Sequence, residues 1–190
     1  KVVLTTIGEG STSQGEWYEA VNWAAIHSLP VIFMVENNQY AISVPAQKQM
    51  AVASAADKAC GMGLRGISVD GTDVFSVYRA MTGAVELARS GEGPTLIEAL
   101  MYRITPHSSD DDDRTYRTRE EVEEHKKKDP LIVARRTLEQ EGLLDQARVD
   151  EMEARIRAMV DEAVQAAEKA EYPDVEEARL GVYAEEIRHG

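Results

Sequence analysis

Two groups of polar residues with metal-binding chemistry are separated by about thirty positions in this sequence. Glu9 lies between two glycines, in Gly8-Glu9-Gly10-Ser11, and Asn38 lies in Glu36-Asn37-Asn38-Gln39-Tyr40. A carboxylate, an amide oxygen and a backbone carbonyl are the hard oxygen donors that Mg²⁺ prefers, and glycines let a ligand approach the backbone closely. The pattern predicts a metal-diphosphate half-site. The alternative is that the glycines only turn the chain and the asparagines form a polar loop.

The elements around these residues are predicted to bring them together. Residues 1–7 and 31–35 are apolar runs typical of buried strands, and residues 13 to 28 between them have a helical pattern. Ser13 and Glu16 have the spacing of a capping box, so we expect the helix to begin near Ser13 and to present free N–H groups to a phosphate. Since parallel strands in a βαβ unit end at the same edge, Glu9 and Asn38 should face one crevice.

Strand and helix patterns alternate through residue 102, which favours an α/β fold with a parallel sheet flanked by helices. The later predicted elements are an alanine-rich helix at 49–60, a strand at 66–70, a helix capped by Asp73, a strand at 95–102, and helices starting near Thr118 and covering about 129–142, 145–170 and 175–188. We therefore expect an α/β domain over residues 1–117 and a helical extension over 118–190. The extension should pack on that domain or on a partner subunit.

A polar segment, residues 104–117, follows the last predicted strand. It is longer than most connections, which favours a functional loop. His107 lies in it, and an imidazole can donate to phosphate or transfer protons, although a lone loop histidine is more often a surface residue. Arg103, Arg114 and Arg117 are close enough in sequence to pair with the four aspartates at 110–113 and order the loop. These aspartates lack EF-hand spacing, so we discount calcium.

Composition limits the classes of partner. The 190 residues include 21 basic and 34 acidic side chains and carry a net charge of −13, which disfavours nucleic acid and anionic membranes. The sequence contains neither an apolar run of membrane-spanning length nor a signal-peptide pattern, so we expect a cytoplasmic protein. The single Cys60 is expected to be a small buried residue. Because the first residue already lies in a strand, we also expect an upstream, N-terminal part to be absent from this chain.

Two motifs resemble known enzymes. Gly8-Glu9-Gly10 with Asn37-Asn38 resembles the thiamine-diphosphate motif of transketolase-like enzymes. The segment YRITPHSSDDDDRTYR, residues 102–117, resembles the active-site loop of the α subunits of branched-chain 2-oxo acid dehydrogenases. The likeness extends over essentially the whole chain and includes VENNQYAISVP near residue 40 and KKKDPL at 126–131.

The resemblance implies roles for individual residues. Mg²⁺ would be held by the Glu9 carboxylate, the Asn38 amide oxygen and the Tyr40 backbone carbonyl, and His107 would contact the cofactor and take part in catalysis. The residues implied to contact the diphosphate through the backbone are Gly8, Gly10 and Ser11, and those implied to order the loop or meet substrate are Arg103, Ser108, Asp110, Asp111, Arg114, Tyr116 and Arg117. Ser108 matches a serine that is phosphorylated in eukaryotic relatives. Glu36 stands where some relatives have a diphosphate-binding arginine, so either another basic residue neutralises the phosphates or Glu36 turns away.

The resemblance also implies an activity and partners. The reaction would be oxidative decarboxylation of branched-chain 2-oxo acids such as 3-methyl-2-oxobutanoate, in branched-chain amino acid catabolism, with thiamine diphosphate and Mg²⁺ as cofactors. The acyl group would pass to the lipoyl domain of a dihydrolipoamide acyltransferase core. A β subunit would complete the site, in an α2β2 heterotetramer, and the chain would be inactive without it. The alternatives are a pyruvate or acetoin dehydrogenase α subunit and a noncatalytic diphosphate-binding or assembly module.

Overall fold

The computed structural model describes residues 1–180, which form two compact units, Lys1–Gln140 and the chain from Glu141 onward. The strands and helices of the first unit are β1 (Val3–Gly8), α1 (Gly15–Ile26), β2 (Val31–Asn37), β3 (Tyr40–Ala41), β4 (Val44–Pro45), α2 (Ala46–Gln49), α3 (Lys58–Gly61), β5 (Arg65–Asp70), α4 (Val74–Arg89), β6 (Thr95–Leu100), α5 (Arg119–Lys126) and α6 (Pro130–Gln140). The second unit contains α7 (Gln146–Lys169). Short 3₁₀ helices cover Glu9–Ser13, Ala55–Asp57, Asp113–Thr115 and Val175–Arg179.

Four parallel strands form the main sheet in the order β1-β2-β6-β5. Gly8 pairs with Glu36, and Leu100 pairs with both Asn37 and Asp70, so the carboxyl ends of all four strands share one edge. A two-stranded antiparallel hairpin, β3-β4, follows β2 at that edge. The predicted α/β class with a parallel sheet flanked by helices is confirmed.

The sheet has a hydrophobic core on each face. Phe33 and Val35 of β2 pack in a cluster with α1 and the segment after β4, whereas Ile32 and Met34 pack with residues of α4. This arrangement buries β2 and β6 on both sides, as a parallel sheet requires. The edge strand β1 is less covered, because Val3 is 56% exposed.

Residues 46–61, which we call the strap, cross one face of the sheet and do not form the single helix predicted at 49–60. The strap contains α2, an extended stretch, a 3₁₀ turn and α3. Ser54 and Asp57 form a capping box. The Ser54 side chain accepts from backbone N–H groups of the turn, and the Asp57 side chain accepts from the backbone N–H of Ser54, so a new turn begins at Ser54. Gly66 of β5 lies directly beneath the strap. A Cβ atom at this position would overlap the carbonyl oxygen of Ala56.

Two other local predictions are wrong. The helix α1 begins at Gly15 and has no side-chain cap, because residues 9–13 form a 3₁₀ helix in which the Thr12 hydroxyl donates to the Glu9 carbonyl at 2.6 Å. Ser13 accepts a hydrogen bond from Gln49 and does not cap α1. Cys60 is exposed, since its neighbour Ala59 is the residue that packs into the core.

The predicted helices near 129–142 and 145–170 are confirmed as α6 and α7, and Asp145 caps α7. The strand predicted to reach residue 102 ends at Leu100. Of the helix predicted at 175–188, only a 3₁₀ turn at Val175–Arg179 is present, and residues 181–188 lie outside the described part. The domain boundary at 117 and 118 stays a prediction. None of the helices within residues 1–180 is long and apolar enough to cross a membrane.

The close packing of Gly66 under the strap leads to a prediction about stability. Gly66→Ala should lower the free energy of unfolding by about 1–3 kcal/mol, because the added methyl group meets backbone that cannot rotate away. The matched control is Gly83→Ala in α4, where a Cβ atom would meet nothing within 4 Å and helix propensity should add about 0.5–1 kcal/mol. Urea unfolding of both variants measures the two effects. Equal stabilities would contradict the packing of the strap on β5.

Candidate metal and diphosphate site

Glu9 and Asn38 are neighbours at the carboxyl edge of the sheet. Glu9 follows β1 and is 1% exposed, and its Oε2 accepts a hydrogen bond of 3.2 Å from the backbone N–H of Asn38, just after β2. The Asn38 Oδ1 in turn accepts from the N–H of Tyr40 at 3.1 Å. The βαβ topology therefore brings together the carboxylate and the amide that the sequence singled out.

The second carboxylate oxygen of Glu9 makes the site suitable for a cation. Oε1 is buried, and no hydrogen-bond partner for it exists among residues 1–180. A buried carboxylate oxygen left without a partner is costly unless a cation or a donor satisfies it. Because no cluster of three or more His, Cys, Asp or Glu side chains occurs within the same residues, a cation at Glu9 would need amide, carbonyl, water or phosphate oxygens as its other ligands.

The third implied ligand, the Tyr40 carbonyl, is already engaged. Arg103 Nη1 donates to this oxygen at 3.1 Å, and its Nη2 donates to the carbonyl of Ile42. A carbonyl oxygen has a second lone pair, but a guanidinium beside a cation is repelled by it. The donor set thus fits Mg²⁺ at Glu9 and Asn38, whereas the Tyr40 carbonyl can join it only where Arg103 shares or releases that oxygen.

The glycines flanking Glu9 have different surroundings. At Gly8 a Cβ atom would meet nothing within 4 Å, which leaves open space beside the backbone. At Gly10 a Cβ atom would lie 2.6 Å from the Cβ of Ala41, so this glycine lets the β3-β4 hairpin approach. The carbonyls of Gly10 and Ser11 accept hydrogen bonds from Gln49 and from the N–H of residue 14. These contacts occupy carbonyl oxygens, whereas a diphosphate would accept from backbone N–H groups, so the implied backbone contacts of Gly10 and Ser11 stay a prediction.

Lys58 of the strap was not singled out by the sequence. Its Nζ donates to the Thr12 hydroxyl at 2.6 Å and to the Thr12 carbonyl at 3.1 Å, and burial lowers its pKa. Lys58 therefore places a basic group against the 3₁₀ helix that begins at Glu9. Glu36, which stands where some relatives have a diphosphate-binding arginine, is exposed.

Glu98 and Asn37 form a second polar contact that sequence reasoning missed. Glu98 is fully buried in β6, and its Oε1 accepts from Asn37 Nδ2 at 2.7 Å and from the N–H of Ala55 at 2.8 Å, while the Ser54 hydroxyl donates to Oε2. Burial acts to raise the Glu98 pKa, but these donors outweigh it and hold the pKa below its usual range. A carboxylate inside the otherwise apolar run TLIEALMY was the available signal.

His107, Ser108 and Asp110 lie on the exposed part of the loop. The backbone N–H of His107 donates to Asp111 Oδ2 at 2.8 Å, and the Ser108 carbonyl accepts from the N–H of Asp111. Within the described chain, none of these three side chains hydrogen-bonds to Glu9 or Asn38. Their assignment to the site therefore stays a prediction.

Tyr116 connects the loop to the turn that carries Asn38. Its hydroxyl donates to Asp111 Oδ2 and accepts from Arg103 Nη2 at 2.9 Å, and the same guanidinium holds the Tyr40 carbonyl. The Tyr116 hydroxyl is the main cause that lowers the pKa of Asp111, so this carboxylate is ionised at neutral pH. A continuous chain of polar contacts thus links the loop to residue 40.

Arg117 is the most buried part of the loop. It is 5% exposed, forms an ion pair of 2.6 Å with Asp113 and donates to the carbonyl of Arg103. Arg114 pairs with Asp112 at 2.6 Å on the surface. Both arginines make the aspartate pairs that the sequence predicted. Arg103 makes none and binds carbonyls and Tyr116.

Glu121 of α5 completes the support of Tyr40. The Thr118 hydroxyl accepts from the N–H of Glu121 at 3.1 Å, so Thr118 caps α5 and the helix predicted to start near it is confirmed. The Glu121 carboxylate accepts from the hydroxyls of Tyr40 at 2.7 Å and Tyr102 at 2.9 Å. Burial and this carboxylate raise the pKa of Tyr40 far above its usual value.

A cleft of about 790 Å³ also opens at the carboxyl edge. It is lined by Tyr40, Asp70, Tyr102 and His125, and neither Glu9 nor Asn38 lines it. The cleft therefore lies between the turn after β2 and the ends of β5 and β6, and the buried carboxylate does not face it.

Fold and site together define an α/β protein with a buried carboxylate and an asparagine turn at the carboxyl edge of a parallel sheet. Comparison with known proteins identifies the family. The model of the dehydrogenase E1 component family matches residues 1–176, and the chain belongs to that family, which is thiamine-diphosphate dependent. The resemblance drawn from the sequence is confirmed.

Individual relatives are α subunits of 2-oxo acid dehydrogenases. The chain is 53% identical over 181 residues to the 2-oxoisovalerate dehydrogenase subunit alpha of Bacillus subtilis (strain 168), covering 95% of this chain and 55% of that protein. It is 43% identical to the 3-methyl-2-oxobutanoate dehydrogenase subunit alpha of Mycobacterium tuberculosis, covering 97% and 50%. It is 44% identical to the pyruvate dehydrogenase E1 component subunit alpha of Staphylococcus aureus, covering 90% and 46%. The chain spans about half the length of these curated relatives.

The contacts of Tyr116 lead to a prediction about loop order. Tyr116→Phe removes the hydroxyl that joins Asp111 to Arg103, so the loop should open more often and trypsin should cleave faster after the exposed Arg114. Tyr78→Phe is the matched control, since Tyr78 is 71% exposed and belongs to α4, outside the loop. Cleavage at the same rate in both variants would mean that the hydroxyl does not hold the loop.

Proposed function

We propose that this chain belongs to the α subunit of a thiamine-diphosphate-dependent branched-chain 2-oxo acid dehydrogenase. Its reaction would be oxidative decarboxylation of 2-oxoisovalerate and related acids, with transfer of the acyl group to a lipoyl group. Family membership and the higher identity to a 2-oxoisovalerate dehydrogenase subunit, 53% against 44% for a pyruvate dehydrogenase subunit, support this choice.

The unpartnered Oε1 of Glu9 is the observation that carries the cofactor assignment. Glu9 and Asn38 would hold Mg²⁺, and the Tyr40 carbonyl would be a third ligand if Arg103 shares it. The open space at Gly8 would admit the diphosphate, whose remaining oxygens would complete the metal's coordination. The bound thiamine diphosphate supplies an electron sink for decarboxylation.

The loop would supply the protein's own groups for the reaction. The loop is anchored near residue 40 by Arg103, Tyr116 and Arg117, so the exposed imidazole of His107 belongs to an anchored segment. There it would donate to phosphate or move a proton during acyl transfer. Phosphorylation of Ser108 would add negative charge beside Asp110 and Asp111, which would repel these carboxylates and loosen the loop.

We further propose that the complete enzyme needs a β subunit, in an α2β2 heterotetramer, and the lipoyl domain and core of a dihydrolipoamide acyltransferase. The names of the relatives describe alpha subunits, which supports a partner of this kind. A cytoplasmic location and the absence of nucleic-acid and membrane partners, expected from the sequence, belong to the same proposal. A pyruvate dehydrogenase α subunit is the second candidate, supported by the Staphylococcus aureus relatives.

One experiment tests the proposed site and the substrate together. The complete α subunit with its β partner should bind Mg²⁺ and thiamine diphosphate and decarboxylate 2-oxoisovalerate faster than pyruvate. Glu9→Gln should weaken Mg²⁺ binding more than about a hundredfold, while the metal-free protein should be no less stable, because an unpartnered buried charge is removed. Calorimetric titration and thermal unfolding measure the two effects. Wild-type Mg²⁺ affinity in the Gln variant would refute the metal site, and a preference for pyruvate would refute the substrate.

His107→Ala tests the role of the loop histidine in the same assembly. Loss of a positioned proton donor or acceptor typically lowers a rate by about 10²–10⁴, whereas one hydrogen bond to phosphate contributes less to binding. We therefore expect acylation of a lipoyl domain to fall far more than affinity for thiamine diphosphate. Unchanged acylation at saturating cofactor would leave His107 as a phosphate contact or a surface residue.

A further inference from the structure

The side chain of Asn37 joins two parts of the molecule. At one end, its Nδ2 donates to the buried Glu98 at 2.7 Å. At the other end, its Oδ1 accepts from the N–H of Gln39 at 3.2 Å and from the Gln39 Nε2 at 3.1 Å. Gln39 has a φ of 74°, a left-handed conformation that non-glycine residues rarely adopt without such support. Asn37 thus fixes the turn from which the Asn38 and Tyr40 ligands project.

Glu98 is suited to hold Asn37 in one orientation. An ionised carboxylate only accepts hydrogen bonds, so it selects the amide rotamer in which Nδ2 faces β6 and Oδ1 faces Gln39. In the opposite rotamer the amide NH₂ would face the N–H of Gln39, and neither group could accept. Glu98 itself is fixed by Ser54 and the N–H of Ala55 on the strap. The orientation of Asn37 is therefore set by a buried carboxylate that the strap holds in place.

We propose that Glu98 is a positioning residue for the metal site, which acts through Asn37 to hold Asn38 in place for Mg²⁺. The inference rests on the proposed function, because it requires that Mg²⁺ binds at Glu9 and Asn38. The hydrogen bonds of Glu98 go to Asn37 and to the strap, and Asn37 is the side chain that connects Glu98 to the turn after β2.

The strap supports the other half of the same site. Gln49 Nε2 donates to the Gly10 carbonyl at 3.0 Å, and Lys58 Nζ donates to Thr12. Ser54, between them in sequence, donates to Glu98. One segment therefore holds both the turn after β1 and, through Glu98 and Asn37, the turn after β2.

Magnesium titrations of the α and β assembly at fixed thiamine diphosphate test the inference. Glu98→Gln preserves the side-chain volume but removes the charge, and Asn37→Ala leaves Glu98 its donors on the strap. Each variant should weaken Mg²⁺ binding by about 10- to 100-fold, the usual effect of losing a group that orients a metal ligand. The matched control is Glu92→Gln, an exposed carboxylate before β6 at the opposite edge of the sheet, which should bind Mg²⁺ as the wild type does.

The double variant separates positioning from general stabilisation. If Glu98 acts through Asn37, the double variant should bind Mg²⁺ no more weakly than Asn37→Ala alone. Its thermal stability should nevertheless fall further, since Glu98 also holds Ser54 and Ala55. Decarboxylation should recover in both single variants at saturating Mg²⁺.

The possible outcomes are distinct. A wild-type assembly that binds no Mg²⁺ with thiamine diphosphate would remove the proposed function and this inference with it. A wild type that binds while Glu98→Gln binds equally well would overturn the inference and leave the function standing. A double variant that binds Mg²⁺ more weakly than Asn37→Ala alone would also overturn it, because Glu98 would then act by a route other than Asn37.

Discussion

The surrounding structure depends on one constraint, the buried carboxylate of Glu9, one of whose oxygens has no hydrogen-bond partner within the described residues. Glu9 is 1% exposed, and a hydrogen bond from Asn38 satisfies only its Oε2. Such a group is unfavourable in the free protein, and the parallel sheet, the strap and the polar turns keep it in place. A site built in this way is poised for a cation, since the ion gains an interaction that the protein alone does not provide.

Arg103 links the loop at 104–117 to the same edge of the sheet. Arg103 holds the Tyr40 carbonyl with one nitrogen and the Tyr116 hydroxyl with another. A cation that takes the Tyr40 carbonyl as a ligand must compete with this guanidinium. Binding of a cation at this carbonyl would therefore be coupled to the contacts between Arg103 and the loop.

Much of the fold was predictable because strand patterns and capping residues are local signals. The runs before Glu9 and Asn38 predicted parallel strands, and topology alone then placed the two residues together. The strap was not predictable, because Glu98 and Gly66 hold it in an irregular path through contacts distant in sequence. The capping box at Ser13 failed for a similar reason, since Gln49 binds that hydroxyl. The site residues could thus be predicted where particular residue types occur at a recognisable spacing. The residues that hold the site in place could not, because their contacts are distant in sequence.

The strand order also has a consequence for synthesis of the chain. Within residues 1–180 the strand β5 pairs only with β6, and Asp70 finds its partner Leu100 thirty positions later (100 − 70). At about 5–20 residues per second, a ribosome needs about 1.5–6 seconds to produce those residues. During that interval β1 and β2 can already pair, but β5 leaves the ribosome with both of its edges open. The nascent chain therefore carries an unpaired strand, and with it a site for aggregation, until β6, one of the two inner strands, emerges.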